Sequence, residues 1–110
     1  MINIKFSERD YQFVLTLSGH ADYAEHGKDI VCAGVSALFW ALVNKAMDDQ
    51  EKGLLFCDVI DDDQPRKIRI YHVRGYYFEK VQAYWNTIIG GLDILANNYS
   101  KYINIEKGVG

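Results

Sequence analysis

The sequence predicts a two-layer α+β domain, a mainly antiparallel sheet covered by two helices, in the order strand-strand-helix-strand-strand-helix-strand. Two patterns carry that prediction. Several short segments alternate apolar and polar residues with a period of two, which marks sheet strands with one covered face. Two longer segments instead repeat apolar residues in steps of three and four, the spacing of one helix face. The 110 residues suffice for one core, so a single domain over 1–110 is expected.

Ile2, Ile4 and Phe6 alternate with polar neighbours, as do Tyr11, Phe13, Leu15 and Leu17, and the Glu8-Arg9-Asp10 link reads as the hairpin turn between these strands. From Gly19 to Lys28 neither period survives, and two glycines and two histidines mark a loop. Asp29 then reads as an N-cap, because its carboxylate can accept from amides that the first helical turn leaves unpaired. The helix it opens, Ile30 to about Gln50, carries apolar residues on nearly every face. It therefore belongs either at the centre of the fold or against a second subunit. Asp48, Asp49 and Glu51 oppose the dipole at its C-terminus, so the last turn is expected to fray before Gly53.

Leu54 to Ile60 and Lys67 to Val73 are the third and fourth strands, joined by a polar turn over 61–65. Leu55, Cys57 and Val59 are expected on one face of the former, and Ile68, Ile70 and His72 on one face of the latter. Phe78, Val81, Trp85, Ile88, Leu92, Leu95 and Tyr99 draw the stripe of the second helix. Gly90 and Gly91 inside it cost about 1 kcal/mol each, which is more easily understood if another backbone packs closely there. Tyr102 to Glu106 is the final strand, and the closing Gly-Val-Gly is expected to fray.

A net charge of −3 offers no basic footprint, which argues against nucleic-acid binding as the main function. The N-terminal stretch lacks the basic start and apolar run of a signal peptide, and the longest apolar run, Val31 to Val43, is short for a bilayer span. These features predict a cytoplasmic protein without a membrane partner. Two cysteines, Cys32 and Cys57, are too few for a disulfide framework and are expected as free thiols.

The chemistry concentrates in GHADYAEHGKDIVCAGVS, residues 19–36. Cys32 falls in the first helical turn, where unpaired amides and the helix dipole favour a thiolate. His20, at the end of a strand, can be brought back to that thiol if the intervening loop returns to a helix on the same sheet. Gly19 and Gly27 give that loop hinge-like freedom. Two other readings of these residues stand beside this one. Cys32 can be a small buried hydrophobe, and His20, Asp22, His26, Asp29 and Cys32 include zinc-ligand types, although their spacing fits no compact zinc pattern. Asp29 is expected to cap the helix and fix the loop's return. Ser36, four residues after Cys32, bonds either the thiolate or substrate, or else its own helix backbone. Asp22 and His26 are read as solvated loop residues that can also orient His20. Cys57 and His72 are read as packed core residues, and Trp40, Tyr84 and Trp85 as core or subunit contacts.

The GHA element, followed by a short loop and G-x-D-I-V-C-A-G-V-S, resembles the motif of the bacterial ribosomal-processing cysteine proteases, the Prp or YsxB-like family. The resemblance implies a cysteine endopeptidase with Cys32 as nucleophile and His20 as general base; no asparagine or aspartate is placed by the motif to orient the imidazole, so a dyad is expected, with no cofactor or metal. It further implies a homodimer, a loop that moves to admit peptide, and a substrate in the N-terminal extension of large-subunit ribosomal protein number twenty-seven. Cleavage there follows a pair of bulky aromatic residues. In acyl transfer, backbone amides at the helix start are the expected oxyanion donors. The contrasting classes are a non-catalytic ribosome-associated binding module and a zinc protein.

Overall fold

A computed structural model describes residues 1–24, 29–61 and 65–108. The first two strands, β1 (Ile2–Arg9) and β2 (Gln12–Ser18), form a hairpin with Arg9 paired to Gln12. The turn is therefore the two residues Asp10 and Tyr11, both at positive φ (52° and 61°), and not Glu8 to Asp10. Such a primed turn matches the twist of the strands it joins. Tyr11 consequently leaves the strand and lies exposed, with its ring edge against Phe78.

Helix α1 (Ile30–Glu51) leads into β3 (Phe56–Asp61) and β4 (Arg66–Tyr71); a 3-10 turn at Gly75–Tyr77 precedes α2 (Phe78–Asn98), and β5 (Ile103–Lys107) ends the order. The element order is the one predicted. The five strands form one sheet, β3-β4-β2-β1-β5, antiparallel throughout except that β5 runs parallel to β1. Ile4, Phe13, Leu15, Ile68 and Ile70 point from one face into a core completed by Val31, Phe39 and Leu42 of α1 and Val81, Trp85 and Leu92 of α2. Gly108 N–H still bonds the Phe6 carbonyl, so order persists at the first of the three terminal residues; 109–110 lie outside the described residues.

Three local expectations need correction. The end of α1 does not fray. Gly53, at φ +76°, donates to the Gln50 carbonyl and Leu54 to the Asp49 carbonyl, the paired bonds of a Schellman cap. The acidic residues there are also paired, Asp48 with Lys52 and Asp49 with Lys45. His72 is not a core residue: the chain turns to φ +49° immediately after β4 and leaves the ring exposed. Cys57 is buried as expected. Finally, the expected close backbone at the glycine pair is not found among the described residues; the only near atoms belong to a side chain, and only at Gly91. A Cβ there would come within 3.1 Å of Leu38 on α1, whereas Gly90 faces open space. The turn between β3 and β4 lies largely outside the described residues.

By length and composition α1 is apolar enough to cross a membrane. Its apolarity is used twice in this fold. Val31, Val35, Phe39, Leu42, Val43 and Ala46 enter the core, while Ala33, Ala37, Trp40, Ala41 and Met47 remain exposed along the outer side.

Candidate active site

Asp29 organises the site through both carboxylate oxygens. One, Oδ1, accepts from the Val31 and Cys32 amides, each at 3.0 Å, and the Asp29 carbonyl accepts from Ala33 N–H at 3.0 Å. The other, Oδ2, accepts from Tyr23 N–H across the loop at 3.0 Å. One side chain thus starts the helix and ties down the segment that leaves β2. Burial alone would raise its pKa, yet the Cys32 and Tyr23 amides outweigh that and hold the carboxyl below its ordinary value.

At the helix start the amides of Val31, Cys32 and Ala33 are engaged by Asp29. A different donor reaches the sulfur. Ala21 N–H lies 3.4 Å from Cys32 Sγ, bringing the end of β2 to the start of α1 across eleven residues of sequence. His20 is the residue immediately before that amide, so the two segments carrying the histidine and the cysteine do converge.

The half-buried thiol is less acidic than its helix position suggests. Burial pushes its pKa up from 9.0, Asp29 and Asp22 push in the same direction, and the Ala21 amide only partly opposes them. The balance of these effects disfavours the thiolate. Asp29→Asn removes a charge and keeps a good N-cap. It is expected to move the alkylation midpoint of Cys32 to lower pH with less than about 1 kcal/mol lost in urea unfolding. An unchanged or raised midpoint would rule out the electrostatic role given to Asp29.

The remaining sequence candidates separate. Gly19 sits at φ +83°, where a Cβ would run into the Met1 carbonyl oxygen, so it is required by close packing and does not act as a free hinge. Asp22 is exposed, also at positive φ. Ser36 has a partner that periodicity did not suggest: its Oγ accepts from Arg66 Nη1 at 3.1 Å, which ties α1 to β4. Arg66 also pairs with Asp61 at 3.1 Å. Gly27 and His26 lie outside the described residues. Among the described residues no three His, Cys, Asp or Glu side chains are grouped closely enough to hold a metal ion. Trp85 is fully buried and Trp40 is 40% exposed, so these aromatics divide between core and surface.

Sequence reasoning missed Tyr23, whose ring stands edge-on to Tyr99 and Tyr102 at centroid distances of 5.9 and 5.1 Å. The crowding of tyrosines near the C-terminal end of α2 was a visible signal, but nothing in their spacing tied them to the loop.

The profile of the cysteine protease Prp family matches residues 1–104. The chain belongs to the cysteine protease Prp family. With it, the chain takes its place among the cysteine-type peptidases. The ribosomal processing cysteine proteases Prp of Bacillus subtilis (strain 168) and of Staphylococcus aureus (strain Mu50) are each 57% identical to it over 28 residues. That segment is 26% of this chain and 25% and 26%, respectively, of those two proteins. Likeness to solved structures extends much further. A crystal structure of the essential ribosomal processing protease Prp from S. aureus, in complex with a covalently linked product peptide, superposes with a TM-score of 0.75 at 26% identity. It covers 98% of this chain and 100% of that one. The same S. aureus protease with a substrate peptide gives a TM-score of 0.71 at 27% identity, covering 98% and 100%.

Proposed function

We propose that this Prp-family peptidase uses Cys32 as nucleophile and His20 as general base to remove a short N-terminal extension from large-subunit ribosomal protein number twenty-seven. The observation that carries the catalytic part is the junction of the Ala21 segment with the Cys32 thiol, which brings the His20 backbone beside the sulfur. In this reading His20 takes the thiol proton as Sγ attacks the scissile carbonyl, and then protonates the leaving amine. Water hydrolyses the resulting thioester. A thiol held above its ordinary pKa fits concerted removal of the proton by a base better than a standing thiolate. Covalent attachment of peptide, as named for the S. aureus relative, is what a nucleophilic mechanism requires.

The substrate is supported by the relatives' names as ribosomal processing proteases, and a cytoplasmic location suits both that role and two free thiols. Incubation with a synthetic peptide copying the extension, read by mass spectrometry, tests the reading. Wild type should cleave after the aromatic pair, and a peptide with both aromatics replaced by alanine should survive. Cleavage of both peptides alike would remove the proposed specificity.

A homodimer is the proposed assembly, because Ala33, Ala37, Trp40, Ala41 and Met47 leave an apolar strip along the outside of α1. Trp40→Glu should turn a sedimenting dimer into a monomer with little change in helix content. A variant that still sediments as the wild type would place the interface elsewhere.

A further inference from the structure

We propose that the backbone N–H of Ala21 receives the oxyanion of the tetrahedral intermediate, and that Tyr23, seated against Tyr99 and Tyr102, positions it. The inference rests on Cys32 being the nucleophile. Ala21 N–H is the amide that reaches Sγ, at 3.4 Å, an ordinary N–H···S distance. When Sγ bonds the scissile carbon, the carbonyl oxygen lies two bonds from sulfur, within reach of a donor already beside it. The amides usually invoked, at the helix start, are held by Asp29.

Oxyanion donors accelerate reactions when they are fixed beforehand, so that no reorganisation is needed as charge develops. Ala21 meets that condition on both sides. The whole residue, amide included, is only 2% exposed and packed in the core. Two residues earlier, Gly19 lies so close to the Met1 carbonyl oxygen that no Cβ fits there. Two residues later, Tyr23 donates to Asp29 Oδ2 and rests edge-on against two rings from the end of α2 and the approach to β5.

In the step itself, the Sγ–C bond forms as the thiol proton passes to His20, and the carbonyl π pair moves onto oxygen. That oxygen accepts from Ala21 N–H. Collapse restores the carbonyl, breaks the C–N bond and releases the amine with the proton returned from His20.

The chain can be assembled by ligating a synthetic 1–31 thioester to a 32–110 fragment that begins with Cys32. In the test protein, residue 21 is the corresponding α-hydroxy acid, so an ester oxygen replaces the N–H. Its kcat on the extension peptide should fall about 10²–10³-fold with KM within a few-fold. Alkylation of Cys32 by iodoacetamide develops no oxyanion, and its limiting high-pH rate should stay within roughly threefold. A kcat within threefold of the all-amide chain would overturn the proposal, as would alkylation falling in parallel with kcat. If the ester chain does not refold, Tyr23→Leu carries the test. A loss of at least about fivefold in kcat at constant KM and alkylation rate is expected, and an unchanged kcat overturns the assignment. An all-amide ligated chain that cannot cleave, or a Cys32→Ala chain that can, would instead sink the nucleophile reading.

Discussion

Cys32→Ala is expected to slow cleavage of the extension peptide by at least about 10⁴-fold while leaving the fold and peptide binding intact. Alanine retains the Cβ and removes only the half-buried sulfur, so little packing is lost. His20→Ala should cost less, about 10²–10⁴-fold near neutral pH, and the two losses should respond differently to pH. With its base removed, the enzyme depends on the small fraction of thiolate. Burial and the Asp29 and Asp22 charges push the Cys32 thiol up, so that fraction is small near neutral pH and grows about tenfold per pH unit as the solution turns alkaline. Part of the His20→Ala loss should therefore be recovered as pH rises, whereas the Cys32→Ala loss should be constant. Rates for the two variants between pH 7 and 10 decide the matter. Parallel profiles would deny His20 the role of base.

The largest stability effect is expected far from this site, at Asp49. This carboxylate is fully buried. Its Oδ2 accepts from Tyr77 Oη at 2.8 Å, and Lys45 Nζ lies 3.1 Å from Oδ1 in an ion-pair contact. The lysine pKa is raised mainly by its bond to Asp49, and the Tyr77 hydroxyl is raised by burial and then by the same carboxylate. Burial pushes the Tyr84 phenol far above its usual value, and the Asp49 carboxylate acts in the same direction. Removing one partner of a buried ion pair costs about 3–5 kcal/mol. Lys45 is 44% exposed and can turn to water, which reduces the expected cost for Asp49→Ala to roughly 2–4 kcal/mol. Tyr77→Phe removes one hydrogen bond to a charged acceptor and should cost about 1.5–3 kcal/mol. Urea unfolding of both variants measures this. An Asp49→Ala chain as stable as wild type would show that the buried carboxylate is energetically neutral.

Asp49 also illustrates what periodicity cannot convey. An aspartate near a helix C-terminus reads locally as a dipole conflict and a fraying end. In the fold it is a buried carboxylate whose Oδ2 accepts from a tyrosine twenty-eight residues away and whose Oδ1 meets Lys45 in an ion-pair contact, and Gly53 closes the helix. His72 failed in the opposite direction. Alternation along β4 assigned it to the core, but the chain left extended geometry one residue earlier, and a single positive φ sends a side chain elsewhere. The hairpin turn moved for a similar reason: alternation alone cannot distinguish Tyr11 in a strand from Tyr11 in a primed turn.

The sequence by itself determined the features whose physics is local. Period-two alternation marked the strands, steps of three and four marked α2, and Asp29 three residues before Cys32 placed that cysteine in a capped first turn. Those outcomes depend on backbone geometry within a few residues. Only the tertiary structure decided that β5 lies parallel to β1, that Ser36 meets Arg66, and that Ala21 N–H rests on the Cys32 sulfur. It also decided the burial that pushes the Cys32 thiol up. A helix start supplies the dipole from its own few residues, but the burial that opposes it comes from elements distant in sequence. Only packing sets the balance between the two.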